Sequence, residues 1–531
     1  MAFSPQVLEF RKASVFALAF LLLSPVFALI ILSFGDSEGL WPHLVRSVLG
    51  RYVSTTLLLM IGVGCLSLVF GVTCAWVIAA YRFRFSNWLD FIILLPIACP
   101  AYLVAYAYTD FFEYAGPVQG ALRQLMGWHS AREYYFPEIR SLGGAIFVLS
   151  SVLYPYIYLL ARTAFRHIPA NFYEVAALSN RSIFWNIALP LARPAIVAGL
   201  ALVSMEVVSD FGTVEFFALE TLTLGIFNVW IGMDSITGAA QIATVTFAFI
   251  IILLFAELYS RGSKRFNDTS RTQAIQHAKP LTGTKSFFCI LICLIPISFG
   301  FLIPVGILLW NVIMTADLAA LKEVWTVLRN SVYVSVIGAI IIMLSAITIA
   351  SSSKVNASKP MRVAGNLSAA GYAFPGTMLA IGVLSCLGAA DQFLSWTNIY
   401  LSGTLFALFF AYLVRFQAVG YGAVSSGLTK IPLNLMSCSR TLGLNAQQTT
   451  LRVTIPLIQK SIIAGAVLAF VDIMKELPMT LLLRPFNFET LATYSYQFAH
   501  DELMDQASLP ALIIILVGLV PVIFLNKLLR A

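Results

Sequence analysis

Apolar residues run through this chain in long unbroken stretches, with the polar residues gathered between them. Residues 14–34, 53–80, 90–110, 142–161, 194–205, 237–256, 286–314, 331–353, 364–389, 400–414, 461–471 and 508–526 are almost free of charge. Most of these stretches approach the ~20 residues that a helix needs to cross a hydrocarbon core of ~30 Å. Backbone amides in lipid must be satisfied within their own element, so each stretch predicts an α-helix. The pattern therefore predicts an all-α polytopic membrane protein with about twelve spans. The first stretch is longer than the core of a signal peptide, and no small-x-small cleavage site follows at Phe34-Gly35-Asp36. It is expected to be a retained span.

Composition supports the pattern. Of 531 residues, 59% are hydrophobic and 11% charged, whereas soluble domains carry roughly 25% charge. Lys and Arg accumulate on the cytoplasmic side of membrane proteins. With the N-terminus inside, 24 of the 33 basic residues, Arg415 among them, fall in cytoplasmic segments, eight fall outside, and Lys475 lies within a span. Both termini are then cytoplasmic. The net charge of +8 follows from this bias. It is spread along loops, so no nucleic-acid partner is expected. Seven cysteines without a CxxC and five scattered histidines predict neither a disulfide framework nor a metal site. No nucleophile neighbours a base, so no catalytic residue is assigned and a membrane enzyme is disfavoured.

Residues 259–285 are polar and without hydrophobic periodicity. They read as a cytoplasmic linker between two six-helix halves, 1–258 and 286–531. An even number of spans in each half makes the repeat parallel. Sequence anchors agree. Ile168-Pro169-Ala170-Asn171 matches Ile431-Pro432-Leu433-Asn434 at an offset of 263. Leu189-Pro190-Leu191 matches Ile455-Pro456-Leu457 at 266, as does Gly199 with Gly465.

The anchors bracket a loop in each half. In the first, Asn171 can cap a short helix and Glu174 can complete the capping box, with Asn180 as a left-handed exit. In the second, Asn434 is the expected cap, Ser437 lies in the helix and Gly443 ends it. A helix of about two turns at the membrane surface is a handle on which another protein can push. Beyond each loop the 266 offset pairs Glu206 with Asp472 and Asp210 with Glu476. Each half thus places two carboxylates one turn apart on one helix face. Charge inside a span is costly and usually functional. Three uses stand open: lining a cation path or gate, structural pairing with Lys475, and docking of an outer partner. Gly212 and Pro478, also 266 apart, mark where the helices bend or open.

Glu174-Val175-Ala176-Ala177, Asn180 and Ile187-Ala188-Leu189-Pro190 resemble the EAA loop of ABC importer permeases. That pattern has Glu-Ala-Ala, a Gly after three more residues, and Ile-x-Leu-Pro after a further nine. The first loop has Asn180 for the Gly and is three residues short before the Pro; the second keeps Gly443 and the spacing but has Ser437-Cys438-Ser439 for Glu-Ala-Ala. Asp210-Phe211-Gly212-Thr213-Val214 and the run from Lys475 to Ala492 are similar to the two halves of the Fe(III) members of that family. The resemblance spans nearly the whole chain. It implies the fold of a type I ABC importer permease in the bacterial inner membrane. It implies that Asn171, Glu174, Ala176, Ala177, Asn180, Asn434, Ser437 and Gly443 couple to two ATP-binding cassette subunits. It implies a periplasmic binding protein that delivers Fe(III). The chain has no G-x-x-x-x-G-K-[ST], so ATP would be bound by the partner subunits and no cofactor by this chain. Permeases for thiamine, polyamines and phosphonates share the architecture. An ion-coupled secondary transporter is the alternative of a different class. Against it, Tyr81-Arg82-Phe83-Arg84-Phe85-Ser86 lacks the Gly-Asp-Arg-rich motif of the major facilitator type.

Overall fold

The computed structural model describes residues 5–168, 172, 182–261, 279–315, 318–355, 359–398 and 400–530. Asn171, Glu174, Ala176, Ala177 and Asn180 of the first loop lie outside the described residues. The chain folds into helices: α1 (Pro5–Ser33), α2 (Leu49–Ala80), α3 (Ala101–Phe112), α4 (Leu142–Arg166), α5 (Leu189–Ser209) and α6 (Ile236–Arg261) before the linker, then α7 (Thr284–Met314), α8 (Leu318–Val355), α9 (Gly376–Phe393), α10 (Leu405–Thr429), α11 (Leu433–Thr441), α12 (Ile455–Met474), α13 (Leu491–His500) and α14 (Met504–Arg530). Strand among the described residues is confined to Tyr81–Arg82, paired in parallel with Lys279–Pro280. This pairing ties the end of the linker to the end of α2.

Ten helices among the described residues are long and apolar enough to cross a membrane, and the pair Ser86–Ala98 and Ala101–Met126, bent by 89°, forms either a broken eleventh span or a re-entrant loop. Helix α6 occupies the predicted sixth stretch, and its described apolar part is the shorter Ile236–Ile252. Two of the predicted stretches are broken rather than continuous. The 90–110 stretch turns at Cys99-Pro100, and the 364–389 stretch is split between helix Lys359–Ser368 and α9 by Phe374-Pro375. In both, the proline sits at the N-cap of the helix that follows. A proline pushes the residue before it out of the helical region, and that residue ends the preceding segment.

Prolines also shape three of the long spans. Leu189, Ile303 and Ile455 donate their N–H groups to the carbonyls five residues back, at Phe184, Ser298 and Thr450. Each widened turn lies immediately before Pro190, Pro304 or Pro456. A proline lacks the N–H and crowds the carbonyl four residues back, and a π turn relieves the crowding without ending the helix. Helices α4 and α10, offset by 263, are both 25 residues long, and each is capped by a hydroxyl, Ser141 on Gly144 N–H and Thr404 on Phe406 N–H.

The parts before and after the linker are interlocked. Helix α1 packs on α9 so closely that a Cβ on Gly382 would stand 2.3 Å from the Pro25 carbonyl oxygen. Helix α7 packs in the reverse sense on the first half, with a Cβ on Gly300 placed 2.1 Å from the Ser151 oxygen. Tyr108 donates across the same seam to the Phe299 carbonyl at 2.6 Å. Backbones approach this closely only where a side chain is absent. The outward faces carry large apolar side chains such as Phe20, Ile61, Leu344 and Leu516, as lipid contact requires.

Candidate functional site

The four intramembrane acids found at the 266 offset converge. Glu206, Asp210, Asp472 and Glu476 all line one cavity of about 150 Å³ where the helix ends of the two halves meet, together with Tyr102, Tyr156, Tyr372, Arg415 and Lys475. Helix α5 stops at Ser209 and α12 at Met474, before Gly212 and Pro478 are reached. Short helices Gly212–Phe216 and Pro478–Leu483 then begin.

Asp210 and Glu476 play the same part in their halves. The Asp210 carboxylate accepts from the backbone N–H groups of Thr213 and Val214 and from the Thr213 hydroxyl, all at 3.1 Å. Glu476 accepts from Met479 N–H at 3.0 Å. Each acid thus satisfies donors at the start of a short helix, where negative charge is favoured. The same carboxylates face the cavity, so capping and lining are not alternatives. Glu206 accepts from the Tyr372 hydroxyl at 3.2 Å. Lys475 pairs with Asp472 at 3.1 Å.

The partner of Glu476 is Arg415, at 3.6 Å. This corrects the placement of Arg415 among cytoplasmic loop residues: it lies inside α10, near the middle of that 25-residue helix. The guanidinium fits because α9 begins with Gly376, where a Cβ would stand 2.3 Å from Arg415 Nη1. The pair is buried, with side-chain exposures of 13% for Arg415 and 6% for Glu476, and solvent therefore screens it weakly. Arg415 Nε and the Tyr102 hydroxyl are buried with no hydrogen-bond partner among the described residues. Formally the four acids and two bases lining the cavity leave it with two excess negative charges. Among the described residues no three His, Cys, Asp or Glu side chains gather closely enough to hold a metal ion. The cavity is an acidic pocket lined by carboxylate and hydroxyl oxygens.

The second loop is described. Helix α11 begins at Leu433, so Asn434 lies in its first turn and not at the cap. The Leu435 N–H bonds to the Pro432 carbonyl at 3.2 Å, and this contact sets the earlier start. Ser437 lies within α11. Gly443 ends the helix at φ +88°, and Leu444 N–H returns to Ser439 O at 3.2 Å, closing a Schellman motif that demands the left-handed residue. Sequence reading missed the next element. Asn445 and Gln448 cap each other reciprocally, Gln448 N–H to Asn445 Oδ1 at 2.8 Å and Asn445 N–H to Gln448 Oε1 at 3.0 Å. The Asn-x-x-Gln spacing was the available signal. It starts the helix that runs through Thr450–Thr454 into α12.

The described residues thus form interlocked bundles of partly broken helices around a polar cavity. Residues 67–263 match the family described as binding-protein-dependent transport system inner membrane component, and with ten helices among the described residues long and apolar enough to cross a membrane the protein is a multi-pass inner-membrane protein. It is 22% identical over 500 residues to the Fe(3+)-transport system permease protein FbpB 2 of Haemophilus influenzae, covering 91% of each chain. It is 21% identical over 485 residues to the ferric transport system permease protein FbpB of Actinobacillus pleuropneumoniae, covering 86% of this chain and 68% of the relative. The sulfate transport system permease protein CysT of Escherichia coli is 27% identical over 208 residues, covering 37% of this chain and 72% of that relative.

Proposed function

We propose that this permease carries Fe(III), received from a periplasmic binding protein and driven by ATP hydrolysed on two separate cassette subunits. The observation that carries the choice of cargo is the charge of the cavity. Carboxylates outnumber bases there by two, and the other side-chain oxygens are the hydroxyls of tyrosines and Ser209. Such a lining attracts a hard cation and repels a dianion, and at an effective dielectric of about 20 each unit-charge pair ~5 Å apart contributes ~3 kcal/mol. That charge favours the cation in the names of the two ferric relatives over the anion in the names of the sulfate ones.

In this reading, residues 1–258 and 286–531 are two permease subunits joined by the linker 259–285, with both termini cytoplasmic. The matched lengths and caps of α4 and α10, and the paired roles of Asp210 and Glu476, support the duplication. The loop at Asn434, Ser437 and Gly443, with its partner at Asn171, Glu174, Ala176, Ala177 and Asn180, is the contact with the cassette subunits. Helix α11 is short and stopped by a Schellman turn, and its capped continuation into α12 is a stiff lever toward Asp472 and Glu476.

The test is radioactive ferric iron uptake into vesicles that hold the complete transporter, with loaded binding protein outside. Uptake is expected to fall to background when nucleotide is withheld; uptake at full rate without it would refute the reading. In the same vesicles, Gly443→Arg is expected to lower uptake per ATP hydrolysed by about tenfold, because a left-handed residue with a side chain distorts the helix end that receives the push.

A further inference from the structure

A second cavity, of about 230 Å³, lies beyond the first and is lined by Tyr106, Thr109, Asp110, Glu113, Arg140 and Glu502, among others. Arg140 crosses it. Its Nε pairs with Glu113 Oε1 at 2.5 Å and its Nη2 with Glu502 Oε1 at 3.1 Å. Glu113 and Arg140 precede the linker and Glu502 follows it, so one guanidinium ties the two halves together. Its carbon also lies 4.8 Å from the centre of the Phe216 ring. A second contact crosses the same seam one residue away, His500 Nδ1 to Glu215 Oε1 at 3.4 Å.

We propose that Arg140 is the latch that holds the outer end of the translocation path closed, and that it must release Glu502 for cargo to pass. The inference rests on the permease reading and adds the residue that gates it. Three observations support it. First, the route from this cavity to the acid-lined one is blocked by rings: Tyr106 stands 4.5 Å from Phe216 and 5.6 Å from Tyr102, which lines the inner cavity. Arg140 rests on the same Phe216. Second, Phe216 ends the short helix that Asp210 caps. The latch and the inner acids are therefore joined by five residues of helix, and a cation that draws Asp210 away from its cap moves the ring under the latch. Third, the latch is built to open. Arg140 is 35% exposed and Glu502 72% exposed at the side chain, and an ion pair so open to solvent contributes little to stability. An arriving hard cation competes with the guanidinium for the same carboxylates. The Tyr106 and Thr109 hydroxyls are buried there with no partner among the described residues, and they remain available to the ion that replaces it.

The complete transporter in vesicles tests this in two ways. Arg140→Gln is expected to raise ATP hydrolysis in the absence of binding protein by about threefold and to lower iron moved per ATP, because the closed state loses its tie. Glu502→Gln, at an exposed position, is expected to shift both quantities in the same direction to a smaller extent. Unchanged basal hydrolysis in both variants overturns the proposal, since a merely structural residue would alter yield and leave the coupling ratio alone. Arg140→Cys combined with Glu502→Cys, tethered by a short bis-methanethiosulfonate linker, is expected to lose uptake and regain it on reduction. Full uptake with the tether in place also overturns it. A wild-type transporter that moves no iron in these vesicles would instead count against the cargo reading, leaving the latch to be judged by basal hydrolysis and the tether's effect on it.

Discussion

Arg415→Met is expected to destabilise the folded permease by about 3–5 kcal/mol, the usual cost of leaving one member of a buried ion pair without its partner. Glu476 is 6% exposed, it caps the helix Pro478–Leu483, and Arg415 is the base that faces it. Water cannot reach the orphaned carboxylate easily, and the same helix start holds Met479 and Thr480, the latter bonded to Tyr412 at 2.6 Å. The loss should appear as a lower midpoint for unfolding of the purified protein in detergent. Pairing Arg415→Met with Glu476→Leu should recover most of that stability, because two apolar groups leave no charge uncompensated. Uptake should stay low in the double variant. Recovery of stability without recovery of transport would separate the pair's two roles.

The second large effect is on transport itself. Asp210→Asn with Glu476→Gln keeps the shapes of both side chains and an acceptor oxygen for the helix starts at Thr213 and Met479. It removes two of the four negative charges around the cavity. With Arg415 and Lys475 still present, the lining becomes formally neutral. Because Glu476→Gln also leaves Arg415 without its partner, iron uptake is compared per assembled complex, and under the proposed cation path it is expected to fall at least about tenfold. ATP hydrolysis in the same vesicles should fall less than uptake. Equal losses of both would mean that the acids act on assembly alone.

Much of this arrangement was legible in the sequence, and the exceptions have physical causes. Hydropathy located the spans because lipid selects for apolar runs of fixed length. The acids stood out because charge inside such a run is rare, and the 266 offset showed that they come in pairs. Hydropathy is blind to breaks, however, and it read through Cys99-Pro100 and Phe374-Pro375; only the prolines hinted at the bends. Arg415 misled for a related reason. It follows the apolar run 400–414 directly, so a count of positive charge assigned it to a loop, although α10 continues to Thr429. Tyr372 and Tyr102 reach the cavity from broken helices whose course periodicity does not record. The packing of α1 on α9 and of α7 on the first half joins residues hundreds of positions apart, and no local pattern encodes it. The loop at Gly443 read correctly at its end, where only a left-handed residue fits, and two residues late at its start.

Ferric iron and sulfate supplied in turn to vesicles holding the complete transporter, each with its binding protein, give the most direct measurement of the central claim that the acidic cavity passes a cation. Iron should accumulate with ATP hydrolysis, and sulfate should stay outside. Sulfate accumulation at a rate matching or exceeding that of iron would contradict the account.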